Sequence, residues 1–193
     1  MSKYHNDSSF ASDSIDIELD IDKLRFLMPE IFSPVQRLRY RLRNWGLTSY
    51  IERIAEHIGF GDSQGAIVVK TNPLLIAAYN EDIDCVVMLK FEQKIQNKFS
   101  FKEKDKLICV NTFGSKPKLQ SDLIPGESNS RMWTMVHPII ADLVSSSQAQ
   151  IEKRKKEIGE KGYEYIWKLA NEYLSQKNGI YRNGKPFYAS QEN

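Results

Sequence analysis

The chain is poor in the residues that announce chemistry. It has two cysteines and three histidines in 193 residues. That excludes a disulfide-stapled scaffold, and Cys85 and Cys109 lie singly in apolar runs, without the clustered spacing of a zinc site. No apolar run approaches the roughly 18 residues that a membrane-crossing helix needs. The first twenty residues carry no apolar core behind a basic start, so they do not read as a secretory signal. Charge of one sign is also scarce: 27 lysines and arginines face 25 aspartates and glutamates, for a net +2. With 41% apolar residues, the composition is that of an ordinary globular domain. A chain of this length buries enough surface to fold without a metal or a disulfide. The expectation is a cytoplasmic protein with no cofactor and no membrane association.

The charge that is present is unevenly spread. Residues 1–34 hold seven acids and three bases, so the remainder carries +6. Up to about residue 14 the composition is too polar to offset the entropy of ordering, which predicts a mobile tail at 1–14 and one domain over 15–193. The tail is either a solubilising terminus or an acidic arm over a basic surface.

Ser33-Pro34 marks a helix start, and Val35, Leu38, Leu42 and Trp45 follow at helical spacing. Gln36–Arg43 also alternates with period two, but the capping signals favour a helix. After Gly46 a second helix is expected, with Ile51, Ile54, Ala55 and Ile58 as its apolar stripe and Gly59 and Gly61 at its end. Four short apolar runs follow at 66–71, 74–79, 85–91 and 107–113, separated by turn signals such as Asn72-Pro73 and 80–84. Short connections favour antiparallel pairing. Continuous rather than alternating apolarity predicts a sheet largely covered by helices, on one face or on both. The polar 92–106 connection reads as a hairpin extension or a short helix, and Pro138 opens a short helix to Val144. A long helix is predicted over 148–176, continuous or broken near Gly159 and Gly162, and Asn183-Gly184 suggests a hairpin turn. The fold class expected is α+β: a central, mainly antiparallel sheet of about four strands, with an N-terminal helical pair and a long C-terminal helix packed on it. The elements do not alternate as a doubly wound nucleotide-binding fold requires.

Motifs for catalysis are sparse. The glycines of 59–65 follow a helix and precede a strand, the reverse of a dinucleotide loop, and no Walker lysine follows. No Gly-x-Ser-x-Gly elbow is present. An enzyme would need residues scattered along the chain, and Asp84, Asp122 and His137 are the first candidates. Nucleic-acid binding has one feature in its favour: Arg37, Arg39, Arg41 and Arg43 place four guanidinium groups in seven residues. On a helix they flank the apolar stripe, where arginines equally serve by snorkelling round a packed core. The run at 153–156 lies between Glu152 and Glu157, the pattern of a solvated helix face.

The 18-residue connection at 114–131 is long for a compact domain and leads into Met132-Trp133. Trp, Met and Arg are enriched in protein interfaces, and a few such anchors carry most of the affinity. Exposed, Arg131, Met132 and Trp133 form a contact centre with Leu123 and Ile124 as an apolar loop tip. Buried, Trp133, Leu123 and Ile124 pin the loop to the sheet. The functional expectation is a non-catalytic protein that binds another protein, of inhibitor, immunity or adaptor type. The nucleic-acid alternative rests on Arg37–Arg43.

Overall fold

The computed structural model describes residues 14–35, 47–112, 120–129 and 137–186. The chain opens on helix α1, Ile21–Leu27, where the Asp20 carboxylate caps the N–H groups of Asp22 and Lys23. A single 3-10 turn, Pro29–Phe32, follows it. Helix α2 runs Leu47–Phe60, the second of the two expected N-terminal helices. The first of that pair falls at 36–46, outside the described residues. α1 stands in the segment read as merely acidic. Its Leu24 and Leu27, with Ile17, Met28 and Ile31, are buried.

Four long strands carry the sheet: β1 Asp62–Thr71, β2 Leu74–Asn80, β3 Cys85–Phe91 and β4 Lys106–Asn111. Helix α3, Gln93–Phe99, occupies the polar connection between β3 and β4. Three further strands have two residues each: β5 Ile124–Pro125, β6 Ile139–Ile140 and β7 Arg182–Asn183. Among the described residues the sheet therefore has seven strands rather than about four, six of them in the order β5-β3-β2-β1-β4-β6 and β7 beside β3. A two-residue strand has no periodicity to read, which is why these three escape the sequence. All pairings are antiparallel except that of β7, which runs parallel to the far end of β3 with Arg182 opposite Leu89. Asn183-Gly184 is thus part of a parallel edge and not of a hairpin; the Gly184 N–H donates to the Lys90 carbonyl. β6 takes the first two residues of the short helix expected after Pro138, leaving one turn, α4, at Ala141–Val144.

The long helix α5, Gln148–Gln176, lies where its stripe places it, with a non-helical residue at Gly159. The sheet is covered on both faces. On one, Ile67, Val69, Leu75, Ala77, Val86 and Met88 meet α5 through Tyr163, Ile166, Leu169, Ala170 and Tyr173. On the other, Ala66, Val68, Leu74, Ile76, Val87 and Leu89 meet α1, α2, α3 and α4. Gly65 sits beneath α5, where a Cβ would collide with Ile166. Among the described residues no helix is long and apolar enough to cross a membrane.

Candidate functional site

The excursion between β4 and β6 is held at two feet. One is the turn before β3. Asp84 there has φ +42, a left-handed conformation that aspartate tolerates better than most side chains. Its carboxylate accepts from the Tyr79 hydroxyl at 2.9 Å, the Tyr165 hydroxyl at 3.1 Å and the Ser128 N–H at 2.7 Å. Its carbonyl accepts from the Gly126 N–H at 2.7 Å. A Cβ on residue 126 would overlap that carboxylate, so the close approach requires glycine. Burial, then the Asp84 charge, pushes the Tyr79 hydroxyl far above its ordinary range and keeps it a donor. Beside this hub β5 pairs with the start of β3, Ile124 opposite Val86. Asp122 makes a two-pronged ion pair with Arg182, with one contact at 2.7 Å. Burial opposes ionisation of Asp122, but Arg182 outweighs it and holds the carboxyl below its usual range.

The other foot is at the far end of β4. The His137 N–H donates to the Thr112 carbonyl at 3.0 Å, so the two ends of 113–136 meet at one hydrogen bond. Thr112 also donates its hydroxyl to His57 Nδ1 at 3.3 Å, while His57 Nε2–H donates to the Val110 carbonyl at 2.9 Å. His57 is 4% exposed, and burial lowers its pKa to about 4. Burial, and then Arg182, lowers that of His137.

A buried polar corner lies next to these feet. The β1–β2 ladder ends at Ala66 opposite Ala78, yet β1 continues along β4 as far as Asp62 opposite Asn111. Since Gly65 faces α5, alternation turns Asp62 and Gln64 to the opposite face, with their register partners Asn111 and Cys109. Asn80, at the end of β2, is on that same face. All five are buried. Gln64 donates to Asp62 at 2.6 Å, Asn111 Nδ2 to the Tyr79 carbonyl at 3.0 Å, and the Cys109 thiol to the same carbonyl at 3.3 Å. Asn80 Oδ1 caps the Ile83 N–H at 3.0 Å. The remaining polar atoms of the two asparagines, Asn80 Nδ2 and Asn111 Oδ1, have no partner among the described residues. Each such buried orphan costs about 1–3 kcal/mol.

The sequence candidates are placed as follows. Leu123 and Ile124 are 3% and 1% exposed, so they hold the excursion to the sheet instead of forming its tip. Arg131, Met132 and Trp133 lie outside the described residues, as do Arg37, Arg39, Arg41 and Arg43. Asp84 and Asp122 both act electrostatically on the Cys85 thiol, as does Arg182; burial, the larger effect, pushes that thiol up to about 12. Arg182 also reaches His137. It is the member of this group that the sequence reading missed, and its parallel strand, supplied from far along the chain, left no local signal. Asp84 itself is turned to the α5 side by Tyr79 and Tyr165. Among the described residues no group of three or more His, Cys, Asp or Glu is arranged to hold a metal ion. A groove of about 630 Å³ opens beside α5 between Lys104, Lys106, Lys155 and Lys156. Lys106 there pairs with Glu160, and Lys155 with Asp142 at 2.7 Å and Glu152 at 2.8 Å. Lys104 lies over the Trp167 ring at 5.0 Å. No protein-family model, curated protein or solved structure matches this chain.

Proposed function

We propose that this protein is a non-catalytic, protein-binding molecule whose contact residues are carried by the excursion at 113–136, with Arg131, Met132 and Trp133 at their centre. The observation that carries the reading is the anchoring of that excursion. Thr112 and His137 join its ends. The Asp84 hub, the β5 pairing and the Asp122–Arg182 pair hold its middle at the opposite flank of the sheet. Fixing the feet of a long connection lowers the entropy that its remainder has to lose on binding, which favours affinity. Leu123 and Ile124, both buried, anchor the described part of the excursion to the sheet. The role is that of an inhibitor, an immunity-type protein or an adaptor. Both cysteines are free and buried, which supports a reducing compartment such as the cytoplasm.

A second reading, catalysis, has one observation in its favour: the Arg182 charge reaches Asp122, Cys85 and His137 together. Against it, Asp84 is committed to three donors and the thiol is poorly nucleophilic.

The test is capture from the native cell, followed by direct titration of the purified partner. Trp133→Ala is expected to weaken that binding at least tenfold, about the loss that truncation of an interface anchor gives. Its melting temperature should stay within a few degrees of the wild type. A variant that loses its fold and shows no specific binding defect would instead assign Trp133 to pinning the excursion.

A further inference from the structure

We infer that the polar corner between β1, β2 and β4 is a binding site for one small neutral molecule that accepts a hydrogen bond from Asn80 Nδ2 and donates one to Asn111 Oδ1. This is independent of the docking reading.

Three observations carry it. First, the two orphaned atoms are complementary, one donor and one acceptor, on the same face of the same sheet end. Both side chains are essentially inaccessible, Asn80 at 0% and Asn111 at 1%. Second, neither amide can be turned round to remove the mismatch. Asn80 must present oxygen to the Ile83 N–H, and Asn111 must present nitrogen to the Tyr79 carbonyl. Exchanging N and O in either side chain would break the bond it already makes. Third, the backbone splays here. β1 and β2 part after the Ala66–Ala78 pair while β1 stays on β4. The Tyr79 carbonyl is therefore served by side chains from β4, Cys109 and Asn111, instead of by a ladder partner on β1. The Cys109 thiol also lies 3.4 Å from the Gly65 carbonyl, so the side chains of Asn80, Cys109 and Asn111 gather where the strands part, a polar place within an apolar core.

The two atoms left to be met are one neutral donor and one neutral acceptor, which a neutral molecule offering one acceptor and one donor satisfies. The Asp62 carboxylate already accepts from Gln64. Water has this chemistry, and so does a primary carboxamide, whose carbonyl would face Asn80 and whose NH2 would face Asn111. Buried polar sites of this kind commonly hold an ordered water.

The full chain, labelled with ¹⁵N, separates the two sources. Acetamide is titrated while the side-chain amide signals of Asn80 and Asn111 are followed, and a high-resolution crystal structure is determined without it. For water, the expected result is a single oxygen peak at about 2.7–3.2 Å from both atoms. A persistent water cross-peak to the Asn80 amide protons should accompany it, with no saturable response to acetamide. For a carboxamide, both amide signals shift saturably, and in Asn111→Leu the Asn80 response disappears. The wild-type measurements decide even where that variant does not fold. An absence of density together with an absence of saturable shifts overturns the inference, as does finding both amides bonded to protein groups.

Discussion

His57 shows how a single side chain ties the molecule to pH. Buried and bonded at both ring nitrogens, it is neutral in the folded chain, with its pKa lowered to about 4 from the ordinary 6.5. Above pH 6.5 both folded and unfolded forms are neutral, and the full stability is present. As pH falls from 6.5 towards 4, the unfolded chain takes up a proton that the folded chain refuses, and stability is lost. The loss is about 3 kcal/mol when complete, at 1.36 kcal/mol for each unit. His137, lowered by burial and by Arg182, acts in the same direction. Urea midpoints between pH 7 and 4 should therefore fall less steeply for His57→Gln than for the wild type; equal slopes would show that His57 does not carry the effect. Asp84 teaches a different lesson at the same scale. In the sequence it is one acid of a polar turn and a candidate for chemistry. In the fold it is a tether, because Tyr165 and Ser128 reach it from 81 and 44 positions along the chain. Nothing local to residue 84 announces those partners.

Among the elements, α5 is the one most fully legible, down to the break that its glycines offered as an alternative to a continuous helix. Its apolar stripe of Ile151, Ile158, Tyr165, Ile166, Leu169, Ala170 and Tyr173 predicts burial; Ile151, Ile166, Leu169, Ala170 and Tyr173 are buried, while Ile158 and Tyr165 are only partly so. Tyr163 is buried too, its hydroxyl donating to the Leu107 carbonyl at 3.0 Å, although the stripe omits it. The break is at Gly159, whose φ of +67 and ψ of 177 belong to a region nearly closed to other residues. Nothing lies within 4 Å of a Cβ built there, so the cost of a side chain is purely conformational. Gly159→Ala should destabilise by about 1–3 kcal/mol, read as a fall in the melting temperature. An unchanged or raised melting temperature would mean that the helix runs straight through. β1 carries the opposite error of reading. Its apolar run begins at Ala66, but the strand begins at Asp62, because Asp62, Ser63 and Gln64 are buried in spite of their polarity. Local polarity suggests exposure at 62–64, and pairing with β4 overrides it.

For the molecule as a whole, the decisive feature is a sheet clothed on both faces. Ile166 and Leu169 fasten α5 to one face, at 1% and 2% exposure. Replacing both with aspartate would place two carboxylates against an apolar surface at several kcal/mol each, which rivals a typical total stability of about 5–15 kcal/mol. Ile166→Asp with Leu169→Asp should abolish the cooperative thermal transition; its survival would show that the sheet and the opposite helices fold without α5. The double covering was legible, because continuous apolar runs such as 74–79 and 85–91 have no face left for water. The antiparallel order of β1, β2 and β3 was legible as well, because their connections are too short for a crossover. These properties depend on neighbours in the chain, and the sequence by itself determined them. Tertiary structure alone decided the three two-residue strands, the commitment of Asp84 to distant donors, the place of Arg182 beside Asp122 and the burial of Asn80 beside Asn111. Each depends on partners supplied from another part of the chain, and an isolated segment holds no record of what will fold against it.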